Sequence, residues 1–355
     1  MPARIREISD KPAGTEPRLA KDTLSIELEI MKEFSLRKER YFQLSRNTLV
    51  EDTTVDFNVF RGRGRLFELA IKADPQFPVI LDNMKLAKIK EVDREILIER
   101  AAIPRYLAYL ESLIREERTS TDAFTTRRAT LLKENSKILV KDLLDNPDSK
   151  EKIEEIKTSV VAIIDILFEN VDMIRNMMSL SQYDYYTYTH SVDVAVLSAG
   201  LGVAIGLSKN EVLNLGIGAM LHDIGKSAIS PELLNKQGKL NDREYRMIQH
   251  HVEAGVSILR RHRAIPESSY DAVAQHHEKL SGSGYPHGLR GAEITLFGRI
   301  TGIADCYDAL TTNRVYKRAL KPFDALHMIS KERKDYDSEL FQSLVTMLGR
   351  GRTVT

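Results

Sequence analysis

The spacing of apolar residues changes character along the chain. Residues 1–20 are polar, carry Pro2, Pro12 and Pro17 and show no repeat, which predicts a mobile tail. From Tyr41 to Ile98 the texture is short and strand-like: Thr53 to Phe60 alternates, Leu66 to Ile71 forms a second run and Phe77 to Leu81 a third. Arg61-Gly62-Arg63-Gly64-Arg65 between the first two runs predicts a hairpin turn. A small β-containing domain is therefore expected over 21–118.

Pro104 can open a helix through Tyr106, Leu107 and Leu110 towards Arg118, and Thr119 to Asp122 marks a break. Helical texture returns, is interrupted at Asn146-Pro147, and then becomes periodic. Ile153, Ile156, Val160, Ile163, Leu167, Ile174 and Met177 recur at steps of three and four, with Asn170 in the position between Leu167 and Ile174. This heptad pattern fits a two-stranded coiled coil whose register Asn170 fixes, and so a homodimer through the 150–180 helix. It also fits a helix lying on its own domain with Val171 in the seam. The stretch 119–180 is expected to be a helical linker.

After about Ser181 the pattern is one of consecutive helices with short loops. Ser230-Pro231 reads as an N-cap followed by proline at the first helical position, and Asn241 with Glu244 as a capping box opening a helix through Arg261. Pro266 to Lys279 forms a further helix, Ser281 to Gly291 a glycine-rich loop and Thr295 to Thr311 another helix, with Pro322 and Asp337 opening the last two. The expected fold is mainly α: an all-α domain over 181–349, preceded by a long helix and the small β-containing domain.

Length and charge narrow the setting. A chain of 355 residues can bury two or three cores, and a formal charge of +1 gives no bulk attraction to duplex nucleic acid or an anionic membrane. The longest apolar stretch, Val194 to Leu207, is interrupted by Ser198, Gly200, Gly202 and Gly206 and is too short to span a bilayer, so it reads as a buried helix. The start, MPARIREISDKPAG, lacks the apolar core of a signal peptide, and the single cysteine, Cys306, agrees with a reducing compartment. A cytoplasmic protein with no membrane insertion is expected.

Histidine placement identifies the chemistry. All 9 histidines lie between His190 and His327. His222-Asp223 and His276-His277 are adjacent pairs, and His190, His251 and Asp305 are further candidates. Imidazole with carboxylate suits a transition metal better than calcium. Five histidines and two aspartates exceed one tetrahedral ion and suit two divalent metals, particularly with Asp223 bridging and water in the open positions. Such a cluster attracts an anion and can acidify a bridging water for attack on phosphorus, which points to a metal-dependent phosphohydrolase.

Taken in order, His190, His222-Asp223-Ile224-Gly225-Lys226, His251 with Gly255, His276-His277-Glu278, Gly282-x-Gly284-Tyr285-Pro286, and Asp305 with Asp308-Ala309-Leu310-Thr311 resemble the HD-GYP family. These bacterial phosphodiesterases of the HD superfamily hydrolyse cyclic di-GMP. The resemblance implies an HD-type helical domain that cuts cyclic di-GMP to pGpG by attack of a metal-bridged hydroxide, with a further cut to GMP left open. It implies one metal, iron or manganese, on His190, His222, Asp223 and Asp305, and a second on Asp223, His251, His276 and His277. Lys226 would face the scissile phosphate. Gly284, Tyr285 and Pro286 would shape the substrate mouth, and Arg314 and Lys317 would contact dinucleotide phosphates. Three-metal members carry Glu one helical turn before the first His; here it is Tyr186, so two metals are expected. Many members carry Asp where this chain has Ser281. Two other readings stay open: an HD hydrolase for a different cyclic dinucleotide, and a non-catalytic receptor for a dinucleotide or a partner.

Overall fold

The computed structural model describes residues 40–45, 47–63, 66–90, 95–116, 122–170, 172–179, 187–236, 238–313 and 318–349. The chain divides into two compact units, one of Met1–Leu44 with Glu51–Arg105 and one of Ser45–Val50 with Tyr106–Thr355.

The first unit holds the sheets. Strands β1 (Tyr41–Leu44), β2 (Thr54–Val55), β3 (Val59–Arg63), β4 (Leu66–Ile71), β5 (Val79–Ile80) and β6 (Glu95–Glu99) form an antiparallel sheet in the order β1-β6-β3-β4 and a separate β2-β5 pair. Phe42 and Leu44 on β1, and Ile96, Leu97 and Ile98 on β6, are buried. Helix α1 (Asn83–Ile89) begins where Asp82 accepts a hydrogen bond from the Lys85 amide at 2.8 Å. The expected strand Thr53 to Phe60 is two strands, and β1 and β6 were not anticipated; both are short, and Ile96 to Ile98 is continuous rather than alternating. In the arginine-glycine stretch, Arg61 to Arg63 belong to β3, with Arg63 opposite Leu66, and Gly64-Arg65 lie outside the described residues. Arg61 pairs with Glu68 and donates to the Lys88 carbonyl at 2.6 Å, so its charge is spent within the unit.

The second unit is helical: α2 (Ile103–Glu116), α3 (Asp122–Asp145), α4 (Lys150–Glu169), α5 (Met173–Ser179), α6 (Thr187–Ala204), α7 (Lys209–Met220), a 3-10 turn (Ile224–Ala228), α8 (Pro231–Leu234), α9 (Asp242–Gln249), α10 (His251–Arg260), α11 (Ser269–Gln275), α12 (Leu296–Thr311), α13 (Pro322–Lys331) and α14 (Ser338–Gly349). The expected caps form: Ser230 accepts from the Leu233 amide, and Asn241 with Glu244 makes a complete capping box. The helix that this box opens stops at Gln249 and restarts at His251. Helix α6 is buried on every side from Thr189 to Gly202, as its apolar run predicts. No helix among the described residues is long and apolar enough to cross a membrane.

The heptad stripe is where the structure departs most from the sequence reading. Ile153, Ile156, Val160, Ile163 and Leu167 are each at most 2% exposed and pack into the core of their own unit, against α3, α6 and α7. Asn170 lies outside α4 as its exposed C-cap, and Val171 is outside the described residues. The seam is therefore not available to a second copy. By the same burial α3 and α4, expected as a linker, belong to the helical core. A heptad repeat specifies an apolar stripe but not the molecule that covers it.

Helix α3 also brings charge inside. Lys133, Glu134, Ser136 and Lys137 are buried; Lys133 pairs with Asp193 on α6 and donates to the Met177 carbonyl at 2.6 Å. Glu134 accepts from the Ser45 amide at 3.1 Å and from Lys137 at 2.9 Å. Asp193 is one helical turn beyond His190, so this pairing anchors the helix that carries the first candidate ligand.

Candidate metal centre

The seven candidate ligands come from touching element ends. His190 is on α6, His222 and Asp223 close the end of α7, His251 opens α10, His276 caps α11 with His277 following, and Asp305 is on α12. Glycine makes the approach possible. A Cβ on Gly225 would lie 1.9 Å from the His251 carbonyl oxygen and 2.5 Å from the Gly255 amide nitrogen, so the turn after Asp223 rests on the start of α10. A Cβ on Gly302 would lie 2.8 Å from the His276 carbonyl oxygen, which sets α12 against the end of α11.

Among the described residues three ligand groupings result: His190, His222 and Asp305; His251, His276 and His277; and His222, Asp223 and His276, each with donor atoms within 4.8 Å of one another. Asp223 stands between the first two. Its Oδ2 is 3.8 Å from His190 Nε2 and 3.4 Å from His222 Nε2, and its Oδ1 is 3.4 Å from His251 Nε2. Lys226 pairs with Asp223 Oδ2.

The ring protons are placed by acceptors that cannot donate. His222 Nδ1 is 2.7 Å from the Ala219 carbonyl, His251 Nδ1 2.7 Å from that of Ile248, and His276 Nδ1 2.8 Å from that of Val273. Each Nδ1 must carry the hydrogen, which leaves Nε2 bare in the neutral ring. His251 Nε2 and His276 Nε2 then face each other at 3.3 Å, and His222 Nε2 and Asp223 Oδ1 are buried with no hydrogen-bond partner. Lone pairs aimed at one another in a buried cavity are unfavourable unless a cation lies between them, so these residues fit a bound metal.

Charge states favour ligation. Burial lowers the pKa of His251 and lowers that of His276 well below the usual imidazole value, with neighbouring histidines adding to the effect; His277 falls to about 3, mainly through burial. Burial alone would raise Asp223 and Asp305. The Lys226 ammonium, His222 and His251 hold Asp223 well below the carboxylate range, and His190 and His277 do the same for Asp305. Neutral imidazoles with ionised carboxylates are the protonation states a divalent ion requires.

The loop beyond His277 closes over the group. A Cβ on Gly284 would lie 2.4 Å from the Lys279 amide nitrogen and 2.5 Å from the His277 carbonyl oxygen, and the Tyr285 amide donates to that carbonyl at 3.2 Å. The Tyr285 ring stacks on His277 at 4.6 Å between centroids, and the Tyr285–Pro286 peptide is cis. Glu278 accepts from the His287 and Leu289 amides at 2.7 and 3.0 Å, fastening the loop to the end of α11. Ser281, where a carboxylate is common in the resembling family, donates its hydroxyl to Asp335, so a neighbouring segment supplies the carboxylate.

Arg314, Lys317 and Tyr186 lie outside the described residues. His250 is exposed and paired with Glu253 at 2.8 Å, and His287 and His327 are at the surface. His262, in contrast, is buried: it is 3% exposed and its Nε2 meets the Pro147 carbonyl at 3.1 Å, closing the turn between α3 and α4. Sequence reasoning missed the role of Asp308. Its Oδ2 is 2.6 Å from His190 Nδ1 and its Oδ1 accepts from Thr312 Oγ1 at 3.1 Å, so it orients the first histidine. Its position three residues, just under one helical turn, after Asp305 was the available signal.

The HD domain family model matches residues 163–340. Over 206 residues the chain is 31% identical to the cyclic di-GMP phosphodiesterase PA4108 of Pseudomonas aeruginosa, covering 58% of this chain and 48% of that protein. It is 37% identical over 167 residues to the 3'3'-cGAMP-specific phosphodiesterase 2 of Vibrio cholerae, covering 43% of this chain and 32% of that one. It thus spans half or less of these relatives' length. Among solved structures, Bd1817, an HDG"Y"P protein from Bdellovibrio bacteriovorus, shares the fold with a TM-score of 0.66 at 20% identity, over 87% of this chain and 99% of that one. The matched span, the shared fold and the ordered His/Asp motifs agree: the chain belongs to the HD domain family.

Proposed function

We propose that the helical unit is a metal-dependent phosphodiesterase that hydrolyses cyclic di-GMP to pGpG, with the β-containing first unit regulating it. The observation that carries this reading is Asp223, whose two oxygens face two histidine groups, one of which holds the mutually opposed Nε2 atoms of His251 and His276. His190, His222 and Asp305 would hold one metal and His251, His276 and His277 a second, with Asp223 shared; iron or manganese suits this nitrogen-rich mixed set. Metals bound there would acidify a water and polarise the phosphoryl oxygens.

The chain's own groups supply the rest. Lys226, beside Asp223, offsets charge that grows on the phosphoryl oxygens in the transition state. Burial raises the Tyr285 phenol, so it stays protonated at neutral pH and is available as a donor at the mouth. Glu278 and Gly284 hold the loop that presents it. Arg314 and Lys317 would contact the dinucleotide phosphates. The PA4108 relative, named a cyclic di-GMP phosphodiesterase, supports this substrate, and the single Cys306 supports a cytoplasmic setting. The cGAMP-specific relative supports a second reading, a mixed cyclic dinucleotide as substrate.

The test is elemental analysis of anaerobically purified protein beside turnover of cyclic di-GMP and of 3'3'-cGAMP with added Fe(II) or Mn(II). About two metals per chain and release of pGpG are expected. Preferred turnover of cGAMP would move the assignment to the second substrate. Metal without turnover of either, with unchanged biological output in Asp223→Ala, would replace the enzyme by a receptor.

A further inference from the structure

Helix α9 lies on the surface of its unit. None of its residues is buried, and it is held at its start by its own capping box and by the Lys236–Glu244 pair at 2.6 Å. Core packing therefore does not account for its aromatic residue. Tyr245 is 49% exposed, yet its ring lies 6.3 Å from that of Tyr285 at 76°, edge to face. Tyr285 in turn stacks on His277 at 4.6 Å and stands 6.5 Å from His251. Helix α9 runs through His250 directly into His251, so it forms the rim beside the second histidine group. Tyr285 has one face covered by His277, whereas Tyr245 keeps ring surface open to solvent one ring further from the centre.

We propose that Tyr245 is a substrate-binding residue whose ring stacks on one purine base of the dinucleotide while a phosphate lies at the metal centre. This rests on the phosphodiesterase reading above. A base is attached to its phosphate through one sugar, so a phosphate at the metal centre brings a base to the rim where Tyr245 stands beyond Tyr285. An aromatic face on a solvent-exposed helix binds a base by stacking alone, and the larger purine surface stacks better than a pyrimidine. Tyr245 thus adds affinity and base preference, while Lys226 and the metal ligands act on the phosphorus.

The test compares wild-type, Tyr245→Ala and Tyr245→Phe holoenzyme, loaded with Mn(II), on cyclic di-GMP and on its uracil counterpart, cyclic di-UMP. For Ala, KM for cyclic di-GMP should rise about tenfold with kcat held within about twofold, in line with the usual worth of one base–aromatic stack. The ratio of kcat/KM for the guanine over the uracil substrate should fall, and Phe should restore both values, because stacking does not need the hydroxyl. An unchanged KM in Ala overturns the proposal. So does an equal loss on both substrates, which marks a structural role. If wild-type protein neither binds nor cuts either dinucleotide, the phosphodiesterase reading falls and this inference with it; normal wild-type turnover with an indifferent Ala variant removes the stacking role alone.

Discussion

His190 depends on a residue that touches no other candidate ligand. Its ring is fixed from behind by Asp308, itself held by Thr312, and neither partner is exposed by more than 3%. Removing a carboxylate behind a ligating histidine typically lowers metal affinity 10- to 100-fold. Asp308→Ala should show a loss of that size in a Mn(II) titration followed by calorimetry, with the far-UV circular dichroism unchanged; wild-type affinity would assign Asp308 to the fold alone. The histidines also predict how metal-free protein responds to acid. His251, His276 and His277 are held neutral in the folded state, below the unfolded value of about 6.5. Their stabilisation is complete above about pH 6.5 and is lost as pH falls from there towards the folded values. Each costs at most about 1.4 kcal/mol per pH unit. Asp223 and Asp305, depressed in the fold, add to the loss below about pH 4. Urea midpoints of metal-free protein should therefore fall between pH 7.5 and pH 5, before Asp223 and Asp305 titrate.

At the scale of elements, the centre exists because helix ends meet without side chains between them. Gly225 lies on the first turn of α10, where an added methyl group would overlap the His251 carbonyl. Gly225→Ala should thus push the turn carrying Asp223 away from His251, costing about 1–3 kcal/mol in urea unfolding and weakening metal binding together with it. A stable variant of undiminished metal affinity would show that the two elements can separate freely. The heptad segment carries the complementary lesson. Its apolar stripe was legible residue by residue, but the spacing of Ile153 to Leu167 is the same whether a second chain or α3, α6 and α7 cover it. The short strands β1 and β6 were missed for a related reason: four or five residues hold too few alternations to separate a strand from a loop.

At the scale of the molecule, the core of the helical unit includes a buried ion pair, Lys133 with Asp193, both sites at most 3% exposed at the side chain. Lys133→Met leaves a carboxylate in the interior without its cation and should cost about 3–5 kcal/mol, read as a lower thermal midpoint, with His190 one turn away reporting through weaker metal binding. Added Mn(II) should in turn stabilise the wild-type fold by about 2.7 kcal/mol at one hundred times its dissociation constant, because the unfolded chain has no formed site. The sequence by itself determined the helical class of the second unit, its caps, and the identity of the candidate ligands, since these follow from local spacing and from residue chemistry. His190, His222, Asp223, His251, His276, His277 and Asp305 could all be named before any fold was known. Only the tertiary structure decided that the heptad stripe is internal, that Asp308 stands behind His190, that His262 is buried, and that Tyr245 reaches Tyr285 across forty residues of chain. Each of these is a contact between distant segments, and one chain's local pattern carries an appetite for burial or hydrogen bonding without naming the partner that satisfies it.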